Sequence, residues 1–453
     1  KVEYDERFFS GVSHSVFIER DRAGNPLIRA SDLRDAWFAI GYCQGTDRLQ
    51  VLEYRRALAL GNADSLLGGN DGAMLSRLVS VLGIVGSAED ICSKLDPEHR
   101  AVLDSFAAGI NEAKSRHGGS LPGRRFLREP WSARDALAVA LMDSWAHSFL
   151  TSRELQFALP EKKLFPALDD FLPRNVIFSY KDRQAMLAHT VLSLRRLLDR
   201  IYGGQEDYLS AFLPAKNGDK ELFLVSLFKP LTSFPTVMNM SIEIAGERRL
   251  CMTKAGSPFL LSSVSDSFRY SAFPMDVDSA DFYLLPVEMK NGSECYQSAG
   301  EWHPFSTVSS ADGRTLRRTD FGPVISDISL QDNSSQCVAV ERIAFSEKTA
   351  ATLMDAPFSK TVNDAVAAAN TYEGEPFFFF INDGTRSCVY PAGKLCIRAE
   401  GGSLFRERNA APAGTDLSAL RRDVYSAKAV CSSLPSGREY PLLSGCIPAR
   451  PSR

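Results

Sequence analysis

The apolar residues of this 453-residue chain change their spacing near Tyr208, and this change most restricts the fold. Before it they recur at helical spacing, since Ala36, Ala39, Ile40 and Cys43 fall at i, i+3, i+4 and i+7. After it they form short strand-like runs separated by turn residues such as Asn382-Asp383-Gly384. Helices first and strands afterwards are typical of the α+β class, in which helical layers pack on sheets.

The individual elements follow from the same patterns. Three main helices are predicted to begin at Ser31 or Asp32, at Asp96-Pro97 and at Ser132, and to end near Leu60, His117 and His147. A looser helical stretch runs from Glu161 to Ile201. The predicted strands are Val16–Glu19, Leu27–Arg29, Leu222–Leu227, Met240–Ile244, Phe282–Val287, Val338–Ile343 and Phe377–Ile381. We therefore expect the helical front half to wrap a sheet core.

Charge and hydropathy exclude several classes of function. The 52 basic and 55 acidic side chains give a net charge of -3, which provides no electrostatic case for binding nucleic acid or an anionic membrane. No apolar run approaches the roughly 18 to 20 residues that span a bilayer, so no transmembrane segment is predicted. The nine cysteines form no CxxC pair, and buried thiols are preferred over one or two disulfides.

General catalytic motifs are missing from the sequence. None of the six histidines belongs to an HExxH or another close metal pair, and GxSxG, P-loop and GxGxxG patterns are absent. Asp278 and Asp281 lie three residues apart on a predicted loop, where they would hold calcium or simply face solvent. Spacing alone therefore predicts an α+β domain and no activity.

Several longer strings carry a resemblance to a known family. Residues 16–30 (VFIERDRAGNPLIRA) and 34–49 (RDAWFAIGYCQGTDRL) lie in the front half, followed by Glu129-Pro130-Trp131-Ser132. Residues 300–302 (GEW), 317–326 (RRTDFGPVIS) and 376–384 (PFFFFINDG) lie in the back half. This ordered set, from about residue 16 to about residue 437, resembles the penicillin amidase family.

The resemblance implies an N-terminal-nucleophile hydrolase fold with four layers (αββα), here truncated at the C-terminus. Residues 1–207 would form a mostly helical α-chain-like region and residues 208–453 a truncated β-chain-like region, intertwined in one domain. Members of the family cut their own precursor to free a serine, whose hydroxyl attacks an amide carbonyl. The α-amine of that serine serves as base because its pKa, near 8, is far closer to neutrality than that of lysine.

The resemblance also implies that the catalytic positions are altered. The family's Ser-Asn-x-(Trp/Phe) motif matches Leu209-Ser210-Ala211-Phe212, so Leu209, which has no attacking group, occupies the nucleophile position. The asparagine that stabilises the oxyanion is replaced by Leu443, and no asparagine follows Gly437. A one-residue deletion would instead make Ser210 the nucleophile, with Ala211 in place of the asparagine that follows it.

A calcium site of the family is partly matched. Glu154 corresponds to its helix glutamate, and Asp278, the Ala280 carbonyl and Asp281 correspond to its β-chain ligands. The remaining aspartate of the family falls beyond residue 453, so calcium would bind weakly or not at all, and no cofactor is required. A solvated acidic loop stays the alternative.

Three functional interpretations follow from the resemblance. The leading one is a non-catalytic member that serves as a binding or scaffold component of a complex. The second is an active amide hydrolase of the penicillin acylase type that uses Ser210, and the third is one chain of a split acylase. The resemblance further implies export to the bacterial periplasm or cell envelope.

The C-terminal truncation that the resemblance implies also predicts a partner. Its loss would expose strand edges and apolar faces, which stable proteins cover or charge. We therefore expect a protein partner or a second copy of the chain to cover the truncated β region. A remodelled monomer, with the Glu161–Ile201 helices folded across the gap, is the alternative.

Overall fold

The computed structural model describes residues 11–117, 129–152, 191–202, 207–213, 222–228, 236–274, 279–298, 300–309, 313–328, 335–384, 387–396, 414–416 and 431–432. Within them helices dominate the front half and strands the back half, which confirms the α+β class. The main core cluster takes side chains from both halves, among them Trp37 and Leu137 from helices and Met240 and Phe379 from strands. That shared core is what an intertwined single domain requires, although the domain division itself stays a prediction.

The helices confirm the three main predictions and add others. They are α1 (Leu33–Ala59), α2 (Ala63–Leu67), α3 (Gly69–Leu82), α4 (Ile84–Lys94), α5 (Pro97–His117), α6 (Ala133–Thr151), α7 (Val191–Tyr202), α8 (Glu347–Asp355) and α9 (Val362–Asn370). Asp32 caps α1 by accepting from the Asp35 backbone N–H, and Ser132 opens α6 in a reciprocal box with Asp135. Helix α6 continues to Thr151, one turn beyond the predicted end.

The strands form one large sheet and smaller ones. They are β1 (Phe17–Arg20), β2 (Pro26–Ala30), β3 (Asp207–Leu213), β4 (Leu222–Phe228), β5 (Val237–Ile244), β6 (Glu247–Lys254), β7 (Leu260–Val264), β8 (Arg269–Pro274), β9 (Ala280–Lys290), β10 (Ser293–Ser298), β11 (Glu301–Pro304), β12 (Ser306–Ser309), β13 (Thr315–Thr319), β14 (Gly322–Pro323), β15 (Gln336–Arg342), β16 (Phe377–Asn382), β17 (Ser387–Ala392), β18 (Lys394–Cys396), β19 (Gly414–Asp416) and β20 (Cys431–Ser432). The nine-stranded sheet has the order β1-β2-β5-β6-β7-β8-β16-β17-β20. The pair β2–β5 is parallel, and it joins the front half of the chain to the back half.

Three further sheets complete the described β structure that concerns the site. A four-stranded sheet has the order β11-β10-β9-β15, a three-stranded sheet the order β12-β13-β14, and β3 pairs with β4 alone. Phe149 on α6 packs edge-on against Phe282 on β9, with the ring centroids 5.4 Å apart. Helix α6 therefore lies against the four-stranded sheet as well as within the main core.

Helices α1 and α5 pack backbone against backbone. A Cβ atom built on Gly109 would lie 1.9 Å from the Phe38 carbonyl oxygen, and one built on Gly41 would lie 2.1 Å from the Phe106 carbonyl oxygen. Only glycine permits so close an approach of two helices. This contact fixes α1, and with it the buried polar residues near its C-terminal end.

Those polar residues form an ion network between α1, α5 and α6. The Arg56 guanidinium lies 2.8 Å from Asp135 Oδ2 and donates to the Glu129 and Pro130 carbonyls, both at 2.7 Å. Glu53 accepts from Lys114 Nζ and from the Trp131 indole N–H, both at 2.9 Å. Arg56, Glu53 and Asp135 are each at most 1% exposed. Charges buried this deeply require such partners, so the network orients the three helices.

The cysteines whose side chains the structure describes are buried, as predicted. Among them, Cys43, Cys92, Cys251 and Cys295 are free thiols in the interior. Burial raises the pKa of Cys43 and of Cys251 to about 12. Thiols with so high a pKa carry almost no thiolate near neutral pH, so a packing function fits them better than chemistry.

His99 joins the N-terminus of α5 to the end of α8 and should make stability depend on pH. Its ring nitrogens contact Asp355 Oδ1, at 2.9 Å, and an Asp96 carboxylate oxygen. The hydrogen bond to Asp355, supported by Asp96, raises the pKa of His99 from 6.5 to about 9. A raised folded-state pKa contributes stability that is complete below pH 6.5 and is lost as the pH rises through about 9.

We expect His99→Gln to lower the free energy of unfolding by on the order of 1 kcal/mol at pH 6, and by much less at pH 9.5. The figure is discounted because both carboxylates are more than half exposed and therefore screened. Urea denaturation of both proteins at the two pH values measures it. An equal loss at pH 6 and pH 9.5 would contradict the ionic origin of the effect.

Candidate functional site

The predicted nucleophile segment forms part of a hairpin. Leu209 is the third residue of β3, where its Cα partner is Ser226 on β4, and the partner of Ser210 is Val225. Leu443, the predicted oxyanion position, lies outside the described residues. The structure thus places Leu209 and Ser210 on one strand.

The predicted calcium residues lie where α6 meets β9. Ala280 opens β9 and is buried, and its Cα partner on β15 is Arg342. Asp281 follows it in β9, opposite Glu341, whereas Glu154 and Asp278 fall outside the described residues. The hydroxyl of Ser279 donates to Ser148 Oγ at 3.0 Å. This bond joins the C-terminal turn of α6 to the start of β9. These two elements are the described neighbours, along the chain, of Glu154 and Asp278.

A buried polar cluster surrounds this junction. We name it the Arg342–Glu375 cluster, and its members are Ser144, Ser148, Ser279, Arg342, Tyr372 and Glu375. Glu375 is only 4% exposed, and it accepts hydrogen bonds from Ser144 Oγ at 2.6 Å and Ser148 Oγ at 3.3 Å. Arg342 Nη2 donates to the same Ser144 oxygen. Ser144 thus connects the buried cation to the buried anion through one hydroxyl group.

The electrostatics of the cluster reflect its burial. Burial lowers the pKa of Arg342, and the nearby Glu375 carboxylate opposes that shift. Burial raises the pKa of Tyr372 well above its usual value, and the same carboxylate adds to the increase. The guanidinium carbon of Arg342 also lies 4.6 Å from the centre of the Trp145 ring. At neutral pH the cluster therefore holds the Arg342 cation and the neutral phenol of Tyr372 beside Glu375.

Several donors of this region have no partner. Arg342 Nε and Nη1 and the hydroxyls of Tyr372 and Tyr270 are buried without a hydrogen bond among the described residues. Folded proteins satisfy the great majority of their buried polar groups, and each exception requires an explanation. Unmatched polar atoms also occur at Glu53 and Arg56, but the Arg342–Glu375 cluster borders the predicted calcium segments, and we take it as the candidate site.

The local sequence explains how the members reach one place. Ser144 and Ser148 are four residues apart, so they share a face of α6 that is otherwise apolar. Arg342 is the last residue of β15, and Glu375 lies two residues before the start of β16. Motif analysis missed the cluster because its charged members come from separate elements. The serine pair on an apolar helix is the one local signal that was available.

A second group of ligand-type atoms lies at the start of α1. His14, Asp32 and Asp35 each place one such atom within 4.8 Å of the others, although their sequence spacing indicated no metal pair. Asp35 accepts from the backbone N–H groups of Ser13 and His14, and Asp32 caps the helix. These carboxylates already serve the backbone, so the group is read as a cap for the helix.

A cavity of about 620 Å³ opens beside the smaller sheets. Phe305, Arg317 and Asp327 line part of it. Arg317 is paired with Asp327 and with Glu294, and its guanidinium lies over the Phe305 ring. Because the charge of Arg317 is already compensated, this cavity is a weaker candidate site than the Arg342–Glu375 cluster. Among the described helices, none combines the length and hydropathy that a bilayer span requires.

Comparison with known proteins gives one family match. The model of the family described as Penicillin amidase matches residues 15–187 and 230–419. The Acyl-homoserine lactone acylase QuiP of Pseudomonas syringae pv. syringae is 22% identical over 338 residues, which are 68% of this chain and 40% of that protein. The Penicillin acylase 2 proenzyme of Pseudomonas sp. (strain SE83) is 35% identical over 137 residues, which are 28% of this chain and 17% of that protein.

Among solved structures, a thermostable Penicillin G acylase from Alcaligenes faecalis is similar at 12% identity and a TM-score of 0.33. The match covers 48% of this chain and 38% of that chain. The present chain spans at most 40% of the length of the acylases quoted above.

Proposed function

This chain belongs to the penicillin amidase family, and we propose that it is a non-catalytic member that acts as a binding or scaffold component. The family has the N-terminal-nucleophile hydrolase fold, with which the mixed helices and sheets described above agree. The proposal rests on the sequence match that assigns Leu209 to the family's nucleophile position, in a segment that lies between the two ranges matched by the family model. A saturated hydrocarbon side chain can neither attack a carbonyl nor release a new N-terminus.

An N-terminal nucleophile requires a free α-amine on the attacking residue itself, so catalysis at this segment would require the chain to be cut directly before that residue. If Leu443 stands at the position of the oxyanion asparagine, as the resemblance implies, a second catalytic group is lost as well.

The other interpretations remain as competing proposals. An amide hydrolase that uses Ser210 would need cleavage between Leu209 and Ser210, and a split acylase would need a second polypeptide to supply the missing groups. The family relatives named above are acylases of acyl-homoserine lactones and of penicillin, so amides of those kinds are the substrates to test. We also propose an exported, cell-envelope location and a partner protein, or a second copy, that covers the β region.

In this proposal, calcium would bind only at the junction between α6 and β9. Glu154, the two aspartates at 278 and 281 and the Ala280 carbonyl would supply oxygen ligands, which suit this hard cation. Ala280 and Ser279 are held in place by the contacts described above. No step of the proposed function depends on the ion.

An uncut chain is the expected result of peptide mapping. Trypsin cleaves after Arg200 and Lys216, so the junction between Leu209 and Ser210 lies inside the single peptide Ile201–Lys216. We expect mass spectrometry of the natural protein to recover this peptide intact and in amounts comparable to neighbouring peptides. A peptide that begins at Ser210, with loss of Ile201–Lys216, would refute the proposal and favour Ser210 as the nucleophile.

A further inference from the structure

Two cysteines lie opposite each other at one edge of the nine-stranded sheet. Strand β20 pairs antiparallel with β17, and in this register Cys431 is the Cα partner of Cys388. On its other side β17 pairs with β16, where Ile381 is opposite the same cysteine. Strand β20 is therefore the last described strand of the sheet, and its pairing brings together two cysteines that are far apart in the sequence.

This arrangement occurs once among the described strands. Every other cysteine in those strands lies opposite residues of other types: Cys251 opposite Met240 and Ser263, Cys295 opposite Glu288 and Pro304, Cys337 opposite Leu285, and Cys396 opposite Gly414. The pairing of Cys388 with Cys431 therefore does not follow from a general abundance of cysteine in the sheets.

The backbone spacing at this pair is the spacing that a disulfide needs. Directly opposite residues of an antiparallel pair have Cα atoms about 4.5 or 5.5 Å apart, and they lie on the same face of the sheet. A disulfide usually joins Cα atoms that are about 4.4 to 6.8 Å apart. Both spacings fall within this range, so a bond between the two cysteines requires no movement of either strand.

The short length of β20 gives such a bond a purpose. The strand consists of Cys431 and Ser432, whereas strands usually contain roughly 3 to 10 residues. Two residue pairs supply few backbone hydrogen bonds to hold it. An uncovered edge strand is a template for pairing with other chains, and β17 would be such an edge without β20. A covalent bond at one of the two pairs would keep the edge covered.

We propose that Cys388 and Cys431 form a disulfide that fastens β20 to the main sheet. The oxidant is another disulfide, such as oxidised glutathione. One cysteine attacks it as a thiolate and releases one thiol, and the second cysteine then attacks the mixed disulfide and releases the other thiol. Two electrons and two protons thus pass from the cysteines to the oxidant, which leaves as two thiols.

The burial of the pair and the proposed location of the protein agree with a lasting bond. Cys388 is 2% exposed and belongs to the main core cluster, so a bond at this position would be shielded from reductants. Disulfides form and persist in exported proteins, and export is proposed above. The bond does not depend on whether the chain hydrolyses amides, so it goes beyond the proposed non-catalytic function.

Peptide mapping without reduction tests the bond directly. The full chain is equilibrated with reduced and oxidised glutathione, alkylated in denaturant and digested with trypsin. Each cysteine then lies in its own peptide, Ser387–Lys394 or Ala429–Arg438. We expect the two peptides to appear linked and to separate on reduction. The inference is overturned if both are recovered alkylated or carrying glutathione, or if either is linked to another peptide, such as the one that contains Cys396.

Thermal unfolding with and without reductant provides the second test. We expect reduction to lower the unfolding midpoint of the parent chain by roughly 3 to 10 °C, because the bond closes a long loop of the unfolded chain. Cys431→Ser should remove this difference, whereas Cys295→Ser, which alters a cysteine with no cysteine opposite it, should keep it. A difference that persists in Cys431→Ser, or no difference in the parent chain, would refute the bond. The edge-strand variant decides the question even where Cys388→Ser fails to fold.

Discussion

Arg56→Met should lower the free energy of unfolding by about 3 to 5 kcal/mol. Arg56 is 1% exposed and is held by Asp135 and by the carbonyls of Glu129 and Pro130. Methionine retains much of the apolar stem, so the loss reports mainly on the charge and its hydrogen bonds. Urea denaturation followed by circular dichroism measures it.

The size of this effect comes from what the substitution leaves behind. Asp135 is 0% exposed and, among the described residues, would keep only Arg134 as a cationic partner. The Pro130 carbonyl would lose its donor, and the Glu129 carbonyl would keep only the longer contact with Lys114 Nζ at 3.4 Å. The guanidinium also lies 5.3 Å from the centre of the Trp131 ring, and that contact disappears as well. A buried charge without its partner is far more costly than a lost surface contact.

Arg100→Met provides the matched control. Arg100 pairs with Asp104 one turn along α5, and both side chains are more than two-fifths exposed. An exposed i,i+4 pair is worth roughly 0.3 to 0.5 kcal/mol, so this variant should unfold almost like the parent protein. Comparable losses in the two variants, or a loss below about 1 kcal/mol for Arg56→Met, would show that the network does not stabilise the fold.

Local patterns predicted much of the fold because they act within a few residues. The helix through Ala36 and Cys43, the cap at Ser132 and the strand Phe377–Ile381 all appear where spacing placed them. Residues 61–95 received no assignment, although Leu75, Leu78, Val79 and Leu82 have helical spacing. The glycines of that segment obscured the pattern, and Gly83, in the left-handed conformation, separates α3 from α4.

The candidate site was beyond such patterns for a physical reason. Ser144 and Glu375 are 231 residues apart in the chain, and Ser144 and Arg342 are 198 apart, yet they share one hydrogen-bonded group. Nothing in the sequence around Arg342 shows that it will be buried without a direct carboxylate. Only the pairing of β15 with β9, and the packing of α6 beside them, brings these charges together.

The Arg342–Glu375 cluster is separate from the hairpin that carries Leu209. Its polar groups lie on α6, β15 and the segment before β16. Changes at Leu209 would therefore leave Ser144, Arg342 and Glu375 in place, so the cluster and the hairpin can be altered independently.

Hydrolysis of amide substrates by this chain should be undetectable. We expect penicillin G and an N-acyl-homoserine lactone to be hydrolysed no faster than in buffer, and we expect Ser210→Ala to change nothing. The loss of a single oxyanion donor lowers kcat by ~10² to 10³-fold, and removal of the nucleophile leaves only the residual effect of binding. Release of the free amine, measured by chromatography over days, provides the sensitivity that the assay needs.

On the proposed assignment of Leu209 and Leu443, Leu209→Ser should not restore activity, because the substitution returns a hydroxyl but neither the adjacent asparagine nor the oxyanion group. This variant separates the two losses. Turnover by Leu209→Ser would mean that groups other than this asparagine stabilise the oxyanion, and backbone N–H donors near β3 would be the first candidates.

Turnover by the parent chain that Ser210→Ala abolishes would instead assign the nucleophile to Ser210 and end the non-catalytic interpretation. Turnover that persists unchanged in Ser210→Ala would point to a contaminating enzyme, which a repeat on independently purified protein resolves.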